Sequence, residues 1–216
     1  MTECPIVETV YGKVKGRACP LAKAQEAKQV FRYSRIPFAK PPVDDLRFEP
    51  PEKCEPWDGI RDCVEGDPIP QQSIDAIKEL NFYRPEVQEF ENDNELVDED
   101  CLYLRVYTNN PNKKADMPVS MLVAVVGLCF SSPVSIYKGC KFPPTEIHFK
   151  VMVWFYGGAF LFGNNGASSG QVICGLHDVV LVVPNYRVSV FGFLSLGRDT
   201  ACPGNFGMLD QVMALQ

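Results

Sequence analysis

The chain has 216 residues, 46% hydrophobic and 22% charged, with a formal net charge of −6. This is an ordinary soluble globular mixture, long enough for one domain with a sizeable core or two small ones. The acidic balance, with no long basic run, excludes the electrostatic footprint of a nucleic-acid binder.

The first residues, MTECPIVETVYGKVKG, lack the basic stretch and apolar core of a secretory signal, so a cytoplasmic location is expected. Within them IVETVYGKVKG alternates apolar and polar residues around Tyr11-Gly12, the pattern of a hairpin. The proline-dense run YSRIPFAKPPVDDLRFEPPEKCEPWDG is barred from long helix and central strand. It reads as an ordered loop pinned by Phe38, Leu46, Phe48 and Trp57. Residues Pro68 to Asp100 are polar and acidic and predict surface, with a short helix at Ser73–Leu80.

Cys101–Thr108 (CLYLRVYT) predicts a strand. Met121–Phe130 (MLVAVVGLCF) is apolar but about half of the roughly 20 residues that span a bilayer. Pro118 and Pro133 bracket it, and it reads as a buried segment rather than a membrane anchor. Val151–Phe155 and Val179–Val183 are unbroken apolar runs, suited to strands buried on both faces of a parallel sheet. The final stretch GNFGMLDQVMALQ spaces Met208, Leu209, Val212, Met213 and Leu215 as one face of a helix. No glycine, proline or polar tail closes that pattern, which predicts a helix cut off within its run.

Nine cysteines stand at positions 4, 19, 54, 63, 101, 130, 140, 174 and 202. None are spaced as C-x-x-C, so no metal site is expected, and most are read as reduced packing residues.

The chemistry concentrates in Tyr156–Gly170, YGGAFLFGNNGASSG. GGAF has the character of a loop whose backbone can approach a ligand closely. GASSG fits the letters G-x-S-x-G around Ser168. A working nucleophile elbow, however, is a strand, a strained serine and then a helix. Here the glycine/asparagine run FGNN precedes and QVICG follows, and neither flank fits. The only histidines are His148 and His177. Asp178, the sequence neighbour of His177, is poorly placed to orient its ring. Ser168 and His177 are therefore not expected to form a catalytic pair.

Five blocks carry a resemblance, in order: FAKPPVDDLRFEPPEKCEPWDGIRDC, EDCLYLRVY, VMVWFYGGAFLFG, VVLVVPNYRVSVFGFLSLG and PGNFGMLDQVMALQ. Together they resemble the type-B carboxylesterases, the family of the cholinesterases and the insect detoxifying esterases. The wording is most similar to the intracellular alpha-type esterases of insects. The resemblance implies an α/β-hydrolase fold, here its N-terminal portion. That portion has a mostly parallel central sheet and a small antiparallel N-terminal part. It implies hydrolysis of small-molecule carboxylic esters through a serine, a histidine and an acid, with no cofactor, nucleic acid or membrane. All three catalytic residues would fall beyond Gln216, so the chain alone is expected to be inactive. A non-catalytic alternative within the family is a cholinesterase-like adhesion protein. Such proteins typically carry a signal peptide and disulfides.

By the same resemblance, Gly158 and Ala159 are the N–H donors of an oxyanion hole, with alanine in place of the usual third glycine. Tyr156 is expected to pack or hydrogen-bond behind that loop. Arg47 is expected to pair with Glu99, and Arg187 with Asp210, as buried structural ion pairs. Cys101 occupies a position that is disulfide-bonded in secreted relatives, and is expected here as a buried reduced thiol. Arg105 replaces a usual Asn and Ser189 a common glycine, each with a possible cost in packing.

One segment breaks the pattern. Val119–Lys150 intervenes where the family runs directly from ADMP into VMVWFYGG. It opens with Val-Ser, which GTAAGT would encode, and closes with Lys, whose AAG codon would supply a terminal AG. These boundaries match an in-frame retained intron at 119–150; a genuine lineage-specific loop is the alternative. The chain is thus read as one partial esterase domain, 1–216, interrupted there.

Overall fold

The computed structural model describes residues 4–19, 28–73, 97–111, 122–125 and 150–216, with 122–125 and 150 described by backbone alone. The N-terminal hairpin forms as its alternation predicts. Strand β1 (Ile6–Glu8) pairs antiparallel with β2 (Lys13–Lys15), and Val14 is the residue of β2 that enters the core. Strand β5 (Ile60–Asp62) joins β2 in parallel and completes a three-stranded sheet.

Among the described residues the main sheet has six strands. Its order is β3 (Arg17–Ala18), β4 (Phe31–Pro37), β8 (Tyr103–Thr108), β11 (Val179–Pro184), β10 (Lys150–Phe155) and β9 (Leu122–Val125). The mostly parallel sheet expected from the sequence is corrected here. Among the described residues the pairings β3–β4, β4–β8 and β8–β11 are antiparallel, and β11–β10 and β10–β9 are parallel. The two apolar runs, Val151–Phe155 and Val179–Val183, do pair in parallel as their composition suggests, and the antiparallel pairings are those that involve β3, β4 and β8. A two-stranded parallel ribbon joins β6 (Ile69–Pro70) to β7 (Val97–Asp98).

Both faces of the main sheet are covered, with the two-residue period of a pleated strand. Val153 and Phe155 of β10 pack with Tyr156, Tyr186 and Val188 on one face. Met152 and Trp154 point the other way, onto Tyr107, Cys174, Leu181 and Val183. Helix α1 (Gln171–Leu176) contributes Cys174 to that second face. Helices α2 (Ser189–Phe193) and α3 (Phe206–Ala214) lie with the first, where Phe193 and Ala214 join the cluster.

The final helix forms, but of its predicted apolar stripe only Met213 packs inward, against the cluster of Phe38, Cys101 and Leu102. Phe206, Gly207, Asp210 and Gln211 are buried, whereas Met208, Leu209, Val212 and Leu215 are exposed. Asp210 sets this rotation through its bonds to Arg187. Gly207 assists, because a Cβ there would lie 2.3 Å from the Arg187 carbonyl oxygen. A buried ion pair outranks a stripe of apolar residues in choosing which face turns in.

The proline-dense run is an ordered loop from Phe38 on, but its first residues, Tyr33–Pro37, lie in β4 between β3 and β8, which corrects the expectation that the run is barred from a central strand. Phe38 is buried and Phe48 stacks on Phe191 with ring centroids 5.8 Å apart. The surface character expected of 68–100 fails at its start, because Pro68, Ile69 and Pro70 are all buried. The short helix expected at 73–80 lies outside the described residues beyond Ser73. Of the 119–150 segment, Leu122–Val125 forms the parallel edge strand beside β10, and Lys150 begins β10. The rest lies outside the described residues. No helix among the described residues is long and apolar enough to cross a membrane.

Candidate active-site loop

Strand β10 ends at Phe155 and delivers the chain into the glycine loop. Tyr156 is buried behind it, as expected. Its ring stacks on Tyr186 at 4.5 Å. Tyr156 Oη donates to the Tyr186 carbonyl at 2.9 Å, and Tyr186 Oη donates to the Tyr156 carbonyl at 2.8 Å. Burial, then the neighbouring Tyr186, pushes the Tyr156 phenol well above its ordinary value. Burial pushes Tyr186 up to about 12. Both hydroxyls thus stay neutral donors and form a rigid back wall.

The loop itself is conformationally costly. Gly158 has φ 134°, and a Cβ on it would lie 1.9 Å from the Phe162 carbonyl oxygen, so only glycine fits. Ala159 (φ 54°) and Phe160 (φ 63°) follow in the left-handed region, which costs an L-residue roughly 1–2 kcal/mol each. Such backbone persists only where its surroundings hold it. Leu161 and Phe162 donate N–H to the Gly158 carbonyl at 3.0 and 3.3 Å. Ser189 donates N–H to the Phe160 carbonyl at 2.6 Å. Ser189 itself has φ 56°, which explains why glycine is the easier residue there. Gln72 grips Gly163: its Nε2 donates to the Gly163 carbonyl at 2.8 Å, and its Oε1 accepts the Gly163 N–H at 2.7 Å. The N–H groups of Gly158 and Ala159 donate to none of the described residues.

Ser168 sits elsewhere in character. It follows a 3-10 turn, Asn165–Ala167, capped by Asn164 Oδ1, which accepts from Gly166 and Ala167 N–H at 2.8 and 3.1 Å. Its φ of −117° and ψ of 119° are extended and unstrained. One detail of the sequence reading is corrected: a helix, α1, does follow GASSG. No strand precedes it. His177 is exposed just past α1. Asp178 is engaged elsewhere, accepting from Lys28 Nζ at 2.8 Å and Asn109 Nδ2 at 3.3 Å.

Both expected ion pairs form, with different burial. Arg187 binds Asp210 through Nε at 2.9 Å and Nη2 at 2.8 Å, plus its own N–H at 2.9 Å, with side chains 4% and 0% exposed. Burial pushes the Asp210 carboxyl up, opposed by those bonds from Arg187. Arg47 meets Glu99 at 2.5 Å but is 40% exposed, so the expectation of a buried pair is corrected to one at the surface. A cavity of about 10 Å³ between the two pairs is lined by Arg47, Glu99, Cys101 and Arg187. That is room for about one water, not for an ester. Cys101 is a buried free thiol as expected, raised well above its ordinary pKa by burial and then by Asp210.

Asp67, Gln72 and Asn185 were not legible as site residues. Asp67 accepts Arg105 Nε at 2.8 Å and the Arg35 N–H at 2.6 Å. Asn185 Nδ2 donates to the Pro68 carbonyl at 2.9 Å, while its Oδ1 accepts the Asn165 N–H at 2.8 Å. The signal that could have found Asp67 is Arg105 itself. An arginine inside the apolar strand CLYLRVYT requires a buried carboxylate partner. The packing cost expected of Arg105 is thereby corrected, since its charge is matched.

The model of the carboxylesterase family matches residues 3–216. The chain is 35% identical over 212 residues to the cocaine esterase of Homo sapiens, covering 98% of this chain and 31% of that protein. It is 33% identical over 214 residues to carboxylesterase 1F of Mus musculus, with the same coverage of 98% and 31%. Pyrethroid hydrolase Ces2e of Rattus norvegicus is 33% identical over 216 residues, again 98% of this chain and 31% of that protein. The chain therefore spans about a third of the length of these curated relatives.

Proposed function

The chain belongs to the carboxylesterase family, and from that premise we propose that it supplies the oxyanion-hole part of a serine carboxylic ester hydrolase. The observation that carries the reading is the pair of N–H groups at Gly158 and Ala159. They stand on a strained, tethered loop and donate to none of the described residues. As a serine attacks an ester carbonyl, negative charge develops on its oxygen. Preset donors stabilise that charge without reorganising, and losing one such donor costs about 10²–10³ in kcat. Alanine at 159 keeps its N–H and narrows the space beside it. The substrate class is small-molecule carboxylic esters, as the names of the cocaine- and pyrethroid-hydrolysing relatives suggest.

The serine, acid and histidine are proposed to lie beyond Gln216, and the 216 residues alone are proposed to be inactive. The test has two arms. The purified chain is offered an activated aryl ester, and no serine-dependent turnover is expected. Turnover abolished by Ser168→Ala overturns this. The reading frame past Gln216 is then sequenced. A G-x-S-x-G there supports the esterase, and another residue in place of the serine supports the non-catalytic binder. A cytoplasmic location is part of the proposal, and fractionation of the source tissue tests it.

We also propose that Val119–Lys150 is a retained intron. Its support is the break with the family pattern and the GT…AG codons its ends permit. A genomic locus without those boundaries would refute it.

A further inference from the structure

We infer that Gln72 is a positioning residue for the glycine loop, clamping Gly163 and so fixing the exit of the loop that carries the N–H groups of Gly158 and Ala159. Its functional meaning rests on the oxyanion reading above; its geometry does not.

A primary amide offers a donor and an acceptor side by side. A peptide chain offers the N–H and carbonyl of one residue in matching order. Gln72 and Gly163 meet in this way, at 2.7 and 2.8 Å, across 91 residues of sequence. Gln72 Nε2 also donates to the Pro70 carbonyl at 2.8 Å, so both amide hydrogens are engaged and the group cannot rotate freely. Only asparagine carries the same group, and it is one methylene too short to keep all three bonds. Gly163 has its own reason to be held there. Its φ is 130°, and a Cβ on it would lie 2.5 Å from the Tyr156 ring.

The clamp is effective because its base is fixed. Residues 67–72 form a strap anchored to the main sheet. Asp67 is held by Arg105 of β8 and by the N–H of Arg35 in β4. The Pro68 carbonyl is held by Asn185, just past the end of β11. Ile69 and Pro70 pair with β7. The loop thus has Ser189 at its near end and Gln72 at its far end. Ser189 fixes the Phe160 carbonyl, so what is left to the far tether is the exit of the loop at Gly163.

The test is amide hydrogen exchange by NMR on the 216-residue chain. In Gln72→Ala, protection of Leu161, Phe162 and Gly163 is expected to fall about tenfold or more. The β10 and β11 amides should stay within about twofold. In Gln72→Glu at neutral pH, a carboxylate oxygen faces the carbonyls of Gly163 and Pro70, and the same loosening is expected. Below about pH 4 the protonated carboxyl regains a donor, and protection factors should recover, which a loss of bulk packing would not do. The Glu variant keeps the side chain's size, so it decides the matter if the Ala variant fails to fold. Protection at 161–163 within about twofold of the parent in both variants overturns the inference. If an extended, serine-bearing chain hydrolyses esters at a rate indifferent to the loosened loop, the oxyanion reading falls while the clamp stands.

Discussion

Arg105 and Asp67, 38 residues apart, form a salt bridge at 2.8 Å with side chains 3% and 0% exposed. Burial opposes the charge on Arg105, but the Asp67 carboxylate outweighs it and raises the guanidinium pKa. Arg105→Ala leaves a buried carboxylate without its partner and is expected to cost about 3–5 kcal/mol. Arg105→Met with Asp67→Asn keeps an acceptor for the Arg35 N–H and should recover most of the loss. Urea midpoints at constant m-value check both.

The two ion pairs read from the sequence should separate on mutation. Arg187→Ala strands Asp210, which is 0% exposed, and is expected to destabilise by about 3–5 kcal/mol at any ionic strength. Arg47→Ala removes a partner from Glu99 at the surface, so its effect should be smaller and fade as salt rises. Equal, salt-independent losses in chemical denaturation would contradict this ordering.

In the glycine loop, Ala159→Gly removes left-handed strain of roughly 1–2 kcal/mol and adds about 0.4–1 kcal/mol of unfolded-state entropy. The net expected is zero to about 1.6 kcal/mol of stabilisation. Gly158→Ala forces a Cβ to 1.9 Å from the Phe162 carbonyl oxygen and should destabilise by about 1–3 kcal/mol. Thermal melts of both variants give the comparison, and a stable Gly158→Ala chain would contradict the loop geometry.

Cys63 and Cys174 contribute to the alkaline limit alongside Cys101. Burial pushes both thiols from 9.0 to about 12. Their folded pKa is raised, so their contribution is fully present below pH 9 and is lost as pH rises toward 12. Stability should therefore decline between pH 9 and 12, and Cys63→Ala with Cys174→Ala should flatten that slope. Urea midpoints across this range measure it, and an unchanged slope in the double variant would count against it.

Much of the fold was legible because local chemistry dictated it. Alternation around Tyr11-Gly12 made the hairpin, and valine-rich runs made β10 and β11. The candidate loop was legible through the five blocks that flank it, since GGAF alone reads as a glycine turn after a strand. Strand direction was legible for the apolar runs of β10 and β11, which pair in parallel, and hidden for β3, β4 and β8, whose short or mixed runs carry no sign of their antiparallel partners. The buried face of α3 was hidden too, because periodicity finds a stripe without saying what the stripe meets.

What the sequence determined by itself was membership and placement: five ordered blocks, the glycine loop after a buried strand, and the Arg187–Asp210 pairing. What only the tertiary structure decided was the support of that loop. Gln72 lies 91 residues from Gly163, and Asp67 lies 38 from Arg105. A hydrogen bond depends on distance in space to a few tenths of an ångström, and chain order records nothing of that distance until the sheet has folded.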